Sequence, residues 1–458
     1  MKAKQRSQVR QRTRQTPYLR TALPGPKAQA LIELDKQYSS SCYTRYIPLV
    51  VKRALGCTIE DVDGNRFLDF TAGIAVNAAG HCPPEVVRAI RDQAGKLLHM
   101  CGSDYYNEPQ ARLAEKLCRI APGPSPKRVF FTNSGAESIE GAFKLARYHT
   151  GRQRVIAFLG AFHGRTFGAL SLTGSKITQR AHFAPLVPEI HHVPFGTCYR
   201  CPYNLKFPSC QIECVSVIEK ILFKATVPPE EVAAIFVEPI QGEGGYIVPP
   251  KGYLQALREL CDRHGILLVM DEIQTGFGRT GKMFAIEHAG VEPDILCLAK
   301  GIASGLPLGA IVAKQSVMDW LEGAHGSTFG GNPVSCRAAL ASIELIEKQY
   351  LRNAGRMGAH LMARLKKLQQ RYPNRIGEVR GMGLMIGVEL IADRKSRTPD
   401  KALRDAIVEE VFRHGLVMLG CGESVLRFCP PLCITRVEID CGLRILEKVF
   451  AKLVAGDA

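Results

Sequence analysis

Residues 265–272 read GILLVMDE, an apolar run that ends in two acidic residues. A run of this length, bounded by a glycine and by charged residues, is typical of a short strand in a buried sheet. Helical patterns separate it from four similar runs, which are RVFFTNS at 128–134, RVIAFLG at 154–160, AAIFVEP at 233–239 and ILCLAK at 295–300. Strands that alternate with helices predict an α/β domain with a mostly parallel sheet.

The rest of the chain is organised around this domain. At 458 residues the chain is too long for one compact domain, so we expect a large and a small one. Short strands around an Asp-Gly-Asn turn predict a small hairpin layer before the large domain. We assign residues 1–28 to a basic tail, 29–79 to the N-terminal layer, 80–332 to the large domain and 333–458 to a smaller α+β domain.

The formal net charge is +17, and much of it lies in the first twenty residues, which contain no acidic residue. We interpret this stretch as a disordered, solvated tail, and we expect no nucleic-acid partner. An organelle transit peptide would share the arginine content, but the stretch lacks an apolar helix face. The sequence contains neither a membrane-spanning apolar run nor a signal peptide, so we expect a cytoplasmic protein with no membrane partner.

Two of the apolar runs end in residues that suit one cofactor. Asp271 follows an apolar strand directly, where a carboxylate is costly to bury unless a cation faces it. A protonated pyridine nitrogen is such a cation, and its protonation makes the ring an electron sink. Lys300 ends another strand and offers an amine for a Schiff base with pyridoxal 5'-phosphate. Either residue alone is more often structural, but the pair predicts a pyridoxal-phosphate enzyme.

Three further stretches at strand ends fit the same cofactor and an amino-acid substrate. The turn at 133–138, NSGAES, follows a strand and opens a helix, so its backbone amides can bind a phosphate. In GAFHGRT, Phe162 can stack on a flat ring, and Arg165 offers a planar fork for a carboxylate. Arg427 lies in an apolar strand, where a guanidinium needs an acidic partner or an anionic ligand.

Together these motifs resemble those of the class III pyridoxal-phosphate aminotransferases, the family of 4-aminobutyrate, ornithine and acetylornithine aminotransferases. The resemblance extends from about residue 30 to residue 450. It rests on NSGAES at 133–138, FHGRT at 162–166, VEPIQGEGG at 237–245, MDEIQTGFGRTG at 270–281, AKGIASGLPLGA at 299–310, GSTFGGNP at 326–333 and LRFCPPL at 426–432. It implies the pyridoxal-phosphate transferase fold type I, with a seven-stranded, mostly parallel sheet, and transaminase activity.

The resemblance also implies roles for individual residues. Lys300 would carry the cofactor as a Schiff base and shuttle the proton, and Asp271 would bind the pyridine nitrogen, so these two are the expected catalytic residues. The other implied cofactor contacts are Ser134, Gly135 and Ala136 at the phosphate, Phe162 and Ile273 on the two ring faces, Gln274 at the ring hydroxyl, His163 beside the ring, and Thr328 at the phosphate of the neighbouring subunit. The contact of Thr328 implies a homodimer with shared active sites.

For the substrates, the resemblance implies a small-molecule amino donor and a keto-acid acceptor such as 2-oxoglutarate. Arg165 and Arg427 would bind carboxylates, and Glu243 would pair with Arg427 when a substrate lacks the second acid group. Glu238 would line the same pocket. Some members of the family are racemases that use the same lysine and aspartate, so an amino-acid racemase or epimerase is the alternative. An inactive binding protein on this fold is a more remote one.

The chain departs from the family pattern in two places. Pro83 stands where many members carry a histidine. An insertion-like stretch at about 196–215 includes CYRCPYNLKFPSCQIEC, with Cys198, Cys201, Cys210 and Cys214. A pair spaced by two residues, followed by a pair spaced by three, resembles the ligand set of a structural zinc ion or an iron–sulfur cluster. Free thiols are the main alternative to a metal site, and a disulfide or redox role is a further one.

Overall fold

The computed structural model describes residues 17–455, so the first sixteen residues of the predicted tail lie outside the described part. For residues 17–28, the prediction of a disordered tail is wrong. Tyr18 forms an antiparallel bridge with Arg66, and a helix begins at Pro26. This segment is ordered because its backbone groups are paired with a strand of the folded protein.

The strands, numbered in chain order, are β1 Val51–Leu55, β2 Thr58–Asp61, β3 Arg66–Asp69, β4 Lys127–Thr132, β5 Arg154–Phe158, β6 Ile190–Val193, β7 Val232–Val237, β8 Leu267–Asp271, β9 Ile295–Leu298, β10 Gly309–Lys314, β11 Ile376–Met382, β12 Met385–Leu390, β13 Leu416–Val417, β14 Leu419–Cys421 and β15 Val425–Phe428. The main helices are α1 Pro26–Tyr38, α2 Pro84–Ala94, α3 Glu108–Ile120, α4 Gly135–Thr150, α5 Phe167–Leu172, α6 Glu213–Val217, α7 Tyr253–His264, α8 Pro333–Leu345, α9 Leu351–Arg371, α10 Lys401–Arg413 and α11 Arg436–Ala455. No helix in the described part of the chain has the length and apolar character needed to cross a membrane.

The largest sheet has seven strands in the order β4–β10–β9–β8–β7–β5–β6. Five of these strands, from β9 to β6 in that order, run parallel to one another, whereas β10 runs antiparallel to both β4 and β9. This arrangement confirms the prediction of an α/β fold with a mostly parallel seven-stranded sheet.

Both faces of this sheet are buried. Along β8, Leu268 and Met270 belong to the larger core cluster, whereas Leu267 and Val269 belong to a second cluster. Successive side chains of a strand point to opposite faces, so the two clusters cover the two sides of the sheet. Because both faces are covered, the carboxyl ends of the parallel strands are where polar side chains can reach a ligand.

Two smaller sheets flank the large one. Strands β1, β2 and β3 form an antiparallel meander, to which the C-terminal part of the chain adds β13 parallel to β3. The second small sheet is antiparallel, in the order β11–β12–β15–β14, and α9 and α10 pack against it. The N-terminal layer is therefore tied to the C-terminal part of the chain, while the domain limits drawn from the sequence remain a prediction.

Helix α9 contains two glycines that test how closely it packs on the β11–β12 hairpin. A Cβ atom on Gly358 would collide with the backbone of Gly383, whereas a Cβ atom on Gly355 would meet nothing within 4 Å. We expect Gly358→Ala to lower the free energy of unfolding by about 1–3 kcal/mol, because the backbones must move apart. Gly355→Ala should raise it by about 0.5–1 kcal/mol, because alanine restricts the unfolded chain and favours helix. Thermal unfolding of the two variants measures these changes in stability. If both substitutions changed the free energy of unfolding in the same direction and by a similar amount, the close packing of α9 on the hairpin would be contradicted.

Candidate active site

A cavity of about 440 Å³ lies at the carboxyl ends of β7, β8 and β9. Its walls contain most of the residues that the sequence singled out. These are Ser134, Gly135, Ala136, Phe162, His163, Arg165, Glu238, Asp271, Ile273, Gln274 and Lys300. The structure therefore brings together in one cavity residues that are up to 166 positions apart in the chain, from Ser134 to Lys300.

Lys300 lies two residues beyond the end of β9, where the backbone has a φ of +44°. This left-handed conformation is rare for a residue with a side chain, and it turns the chain sharply at the strand end. Burial lowers the pKa of the Lys300 amine, although the negative charges of Asp271 and Glu238 act in the opposite direction. A lowered pKa increases the fraction of neutral amine, which is the nucleophilic and basic form.

Asp271 is the last residue of β8, and only 3% of it is exposed. One carboxylate oxygen accepts a hydrogen bond from the amide of Ile273 at 2.9 Å. The other lies 2.7 Å from Nδ1 of His163, which is also buried. Burial opposes the protonation of His163, but the hydrogen bond with Asp271 and the charge of that carboxylate outweigh it, so the pKa of His163 is raised.

Helix α4 begins at the edge of the cavity and runs for 16 residues. Ser134 caps it, because the hydroxyl of Ser134 accepts a hydrogen bond from the amide of Glu137 at 3.2 Å. The amides of the first turn have no partner within the helix and carry its positive dipole end, so they suit an anion. A Cβ atom on Gly135 would lie 2.9 Å from Cγ2 of Ile273, so a residue larger than glycine would close the space between them.

Two carboxylates on the loop after β7 have different surroundings. Glu238 is buried and accepts hydrogen bonds from the amides of Phe162 at 3.0 Å and Gly242 at 2.7 Å. Burial raises the pKa of Glu238 to about 7. Glu243 instead lies between two cations, with Nζ of Lys176 at 2.5 Å and a terminal guanidinium nitrogen of Arg427 at 3.2 Å.

Two predicted residues are more exposed than the rest. Arg165 lines the cavity, but its side chain is exposed and lies over the Phe162 ring, 5.8 Å from the centroid. Thr328 is exposed as well and is not among the residues that line the cavity of its own chain. The sequence analysis missed Lys176, since a lysine after a short helix has no pattern that sets it apart from a surface lysine.

The cysteine-rich insertion does not form the predicted metal site. Within the described residues, no three His, Cys, Asp or Glu side chains are arranged so that they could hold a metal ion. The prediction of a zinc ion or an iron–sulfur cluster at Cys198, Cys201, Cys210 and Cys214 is therefore not supported. Cys198 is exposed, whereas Cys214 packs against the larger core cluster, and burial raises the pKa of Cys214 to about 12. The four thiols therefore differ in their exposure to solvent.

The profile of the family described as aminotransferase class-III matches residues 39–450. The chain belongs to this family. It is 43% identical over 422 residues to an acetylornithine aminotransferase of Methanopyrus kandleri, a match that covers 92% of this chain and 97% of the relative. It is 39% identical over 435 residues to an isoleucine 2-epimerase of Lentilactobacillus buchneri, covering 94% and 96%. A Bacillus anthracis aminotransferase of known structure superposes with a TM-score of 0.87 at 31% identity, covering 94% of this chain and 100% of that one.

As a class III aminotransferase, the chain is a pyridoxal-phosphate-dependent transaminase, and the cavity fits that cofactor. Three kinds of group at the cavity suit a polar ligand that has both an anionic and a cationic part. The start of α4 offers free amides to a phosphate. Asp271 offers a carboxylate to a protonated ring nitrogen. Oε1 of Gln274 and Nε2 of His163 are buried without a hydrogen-bond partner in the described protein, and both residues line the cavity.

The contact of Asp271 with His163 leads to a prediction for the cofactor-free aminotransferase. In Asp271→Asn, the imidazolium of His163 loses its negative partner while its burial remains, so its pKa should fall. NMR titration of histidine-labelled protein, with His163→Gln used to assign the resonance, measures the change. The matched control is Asp319→Asn, which removes a carboxylate 2.7 Å from His149 at the surface and should leave the His163 titration unchanged. An unchanged pKa of His163 in Asp271→Asn would show that the contact does not govern its protonation.

Proposed function

We propose that this transaminase moves an amino group from an amino-acid or ω-amine donor to a keto acid such as 2-oxoglutarate, with Lys300 and Asp271 as its catalytic residues. The observation that carries the proposal is the single cavity in which the half-buried amine of Lys300 lies with the buried carboxylates of Asp271 and Glu238. The lowered pKa of Lys300 supports the proposal, because a neutral amine is required to attack a carbonyl carbon and to accept a proton from a substrate carbon.

Pyridoxal phosphate supplies a ring that withdraws electrons from the substrate carbon when its nitrogen is protonated. Asp271 would hold that nitrogen in its protonated form, since the carboxylate is buried and is oriented by the Ile273 amide. Lys300 would hold the cofactor through its amine and would supply the group that takes up and returns the proton. The remaining contacts in the proposal are the amides of Ser134, Gly135 and Ala136 at the phosphate, Phe162 and Ile273 on the ring faces, and Gln274 and His163 at the polar edge of the ring.

Two arginines support a dicarboxylic substrate such as 2-oxoglutarate. The guanidinium of Arg165 is exposed at the cavity, where it can bind the carboxylate that lies farther from the reacting carbon. Arg427 is buried and its charge acts on Lys300, so it can bind a carboxylate beside the reacting carbon. Glu243 neutralises Arg427 when the donor has no carboxylate there, which lets one pocket accept two kinds of substrate. Glu238 lines the same cavity as Arg165.

The active unit in this proposal is a homodimer in which Thr328 contacts the cofactor phosphate of the neighbouring subunit. Thr328 is exposed, and the adjacent Phe329 is 60% exposed. The Phe329 ring packs on His99, and Leu98 beside it is 65% exposed, so the loop belongs to an apolar patch. Exposed aromatic and aliphatic side chains grouped in this way are typical of a protein–protein interface.

We also propose a cytoplasmic location. The sequence contains sixteen cysteines, and several of them, such as Cys42, Cys82 and Cys198, carry exposed thiols. Thiols of this number persist in a reducing compartment, whereas an oxidising one would convert the accessible ones to disulfides.

The central test of the proposal is the substitution Lys300→Ala. The wild-type protein with cofactor should show the visible absorbance band of a Schiff base, and Lys300→Ala should lack it, because no amine remains in the cavity to form that bond. Transaminase activity should fall by at least about a thousandfold, since both the anchor and the proton carrier are lost. The matched control is Lys282→Ala, which removes an exposed lysine amine and should keep the band. An unchanged band in Lys300→Ala would rule out this lysine as the anchor.

An epimerase is the second candidate, favoured by the 39% identity with isoleucine 2-epimerase. The two activities differ in the fate of the amino group. When the holoenzyme is incubated with an L-amino acid and no keto acid, a transaminase should form keto acid in an amount equal to the enzyme and then stop. We expect this result, because the Arg165 and Arg427 sites suit a second, dicarboxylic substrate. Continued formation of the D-isomer without keto acid would identify an epimerase instead.

A further inference from the structure

Glu243 joins three parts of the chain through its two carboxylate oxygens. Oε1 lies 2.5 Å from Nζ of Lys176, which follows helix α5, and Oε2 lies 3.2 Å from a terminal nitrogen of Arg427 in strand β15. Charge-assisted N–H···O bonds are normally about 2.7–2.9 Å long. The contact with Lys176 is therefore the closer of the two, and the contact with Arg427 is the looser one.

Arg427 is held independently of Glu243. The terminal nitrogen that reaches Glu243 also donates a hydrogen bond to the carbonyl of Gly420 at 2.7 Å. The Nε atom of Arg427 is buried and has no hydrogen-bond partner within the described residues. A substrate carboxylate can bind Arg427 through two donors, Nε and this terminal nitrogen. At the terminal nitrogen it must replace the carboxylate of Glu243. The hydrogen bond to Gly420 meanwhile keeps the arginine side chain in place.

The backbone of Glu243 is fixed, so only its side chain can leave Arg427. The carbonyl of Glu243 accepts a hydrogen bond from the amide of Gly422 at 2.7 Å, which ties the loop to the hairpin that carries Arg427. A Cβ atom on the following Gly244 would lie 2.5 Å from the carbonyl oxygen of Gly160, so the loop also packs closely on its other side. A rotation of the Glu243 side chain is the movement that this geometry leaves open.

We propose that Lys176 determines which substrates the Arg427 site accepts, by holding the Glu243 carboxylate when a substrate carboxylate displaces it from Arg427. The inference rests on the proposed function and extends it with a positioning residue. A carboxylate that is only 19% exposed is costly to leave without a cation. Because the ammonium of Lys176 stays in contact with Glu243, the exchange at Arg427 replaces one ion pair by another and leaves no carboxylate unpaired.

Lys176 is suited to this role by its position at the surface of the site. Its side chain is 36% exposed, compared with 6% for Arg427, so it can follow a moving carboxylate, whereas Arg427 cannot. A lysine side chain is long and flexible and offers three donors from one ammonium group. The arginine thus provides a fixed carboxylate site, and the lysine provides a movable counter-charge.

The experiment compares Lys176→Met, which removes the ammonium and keeps an apolar side chain, with the wild-type holoenzyme. Calorimetry with glutarate, a dicarboxylate that carries no amino or keto group, measures binding without turnover. We expect the dissociation constant for glutarate to rise about five- to tenfold in Lys176→Met, because displaced Glu243 then has no partner. Single-turnover absorbance gives a second measure, in which the ratio of kcat/KM for L-glutamate to kcat/KM for 4-aminobutyrate should fall by a similar factor.

Three further variants separate this role from a structural one. Lys176→Arg should restore most of the glutarate affinity, since it returns the positive charge. In a Glu243→Gln background, Lys176→Met should change the affinity by less than about twofold, because no carboxylate is left to hold. Lys36→Met, which removes the lysine of the exposed Lys36–Glu33 pair on α1, should leave the glutarate affinity unchanged.

Unchanged glutarate affinity in Lys176→Met would overturn the inference. So would an equal loss of glutarate affinity when Lys176→Met is introduced into the wild type and into Glu243→Gln. The failure of the proposed function would look different. In that case the wild-type holoenzyme would transfer the amino group of neither L-glutamate nor 4-aminobutyrate, while the calorimetric comparison would still decide the role of Lys176.

Discussion

The site depends on the burial of one carboxylate, that of Asp271 at the end of β8. Leaving a buried carboxylate without hydrogen bonds or a cation costs several kcal/mol, so its surroundings have to compensate for the loss of water. The compensation comes from neighbouring strands in parallel register. Val237 pairs with Met270, which aligns Glu238 with Asp271, and Asp271 pairs with Cys297, which puts Lys300 just beyond the same edge. The sheet therefore fixes the relative positions of these three charged residues before any ligand is present.

This arrangement shifts the pKa values of several cavity residues from their ordinary values. Burial lowers the pKa of the Lys300 amine and raises that of Glu238 to about 7, and the contact with Asp271 raises the pKa of His163. The pKa of Glu238 thus lies near neutral pH, and a group of this kind exchanges protons with a small free-energy difference, which is the condition for general acid–base catalysis. A cavity with these properties suits a reaction that moves a proton between two carbon atoms.

The sequence predicted the fold and the position of the cavity correctly where a residue type has one physical explanation in its position. The apolar runs that end in Asp271 and Lys300 predict both the parallel strands and the cavity at their ends, because a charge after a buried strand is rarely accidental. The antiparallel course of β10 was not predictable in this way, since an apolar run gives no strand direction. The cysteine spacing also misled, because spacing along the chain does not determine whether the side chains converge on one point, and those of the described residues do not form a metal site. Residues 17–28 were judged by composition, whereas their order comes from pairing with a distant strand.

The loop after β7 shows how local surroundings give one residue type two roles. Glu238 and Glu243 are separated by five positions, and both come close enough to influence Lys300. Glu238 is held by two backbone amides, which cannot move away, so burial governs its proton affinity. Glu243 is held by two side-chain cations on different parts of the fold, so it can exchange one for the other. Fixed amides make a carboxylate into a permanent part of the cavity wall, whereas two alternative cations make it a movable one. Under the proposed function, Arg427 receives two substrates in turn, so a movable carboxylate suits that position, whereas the fixed carboxylate of Glu238 stays in the cavity wall.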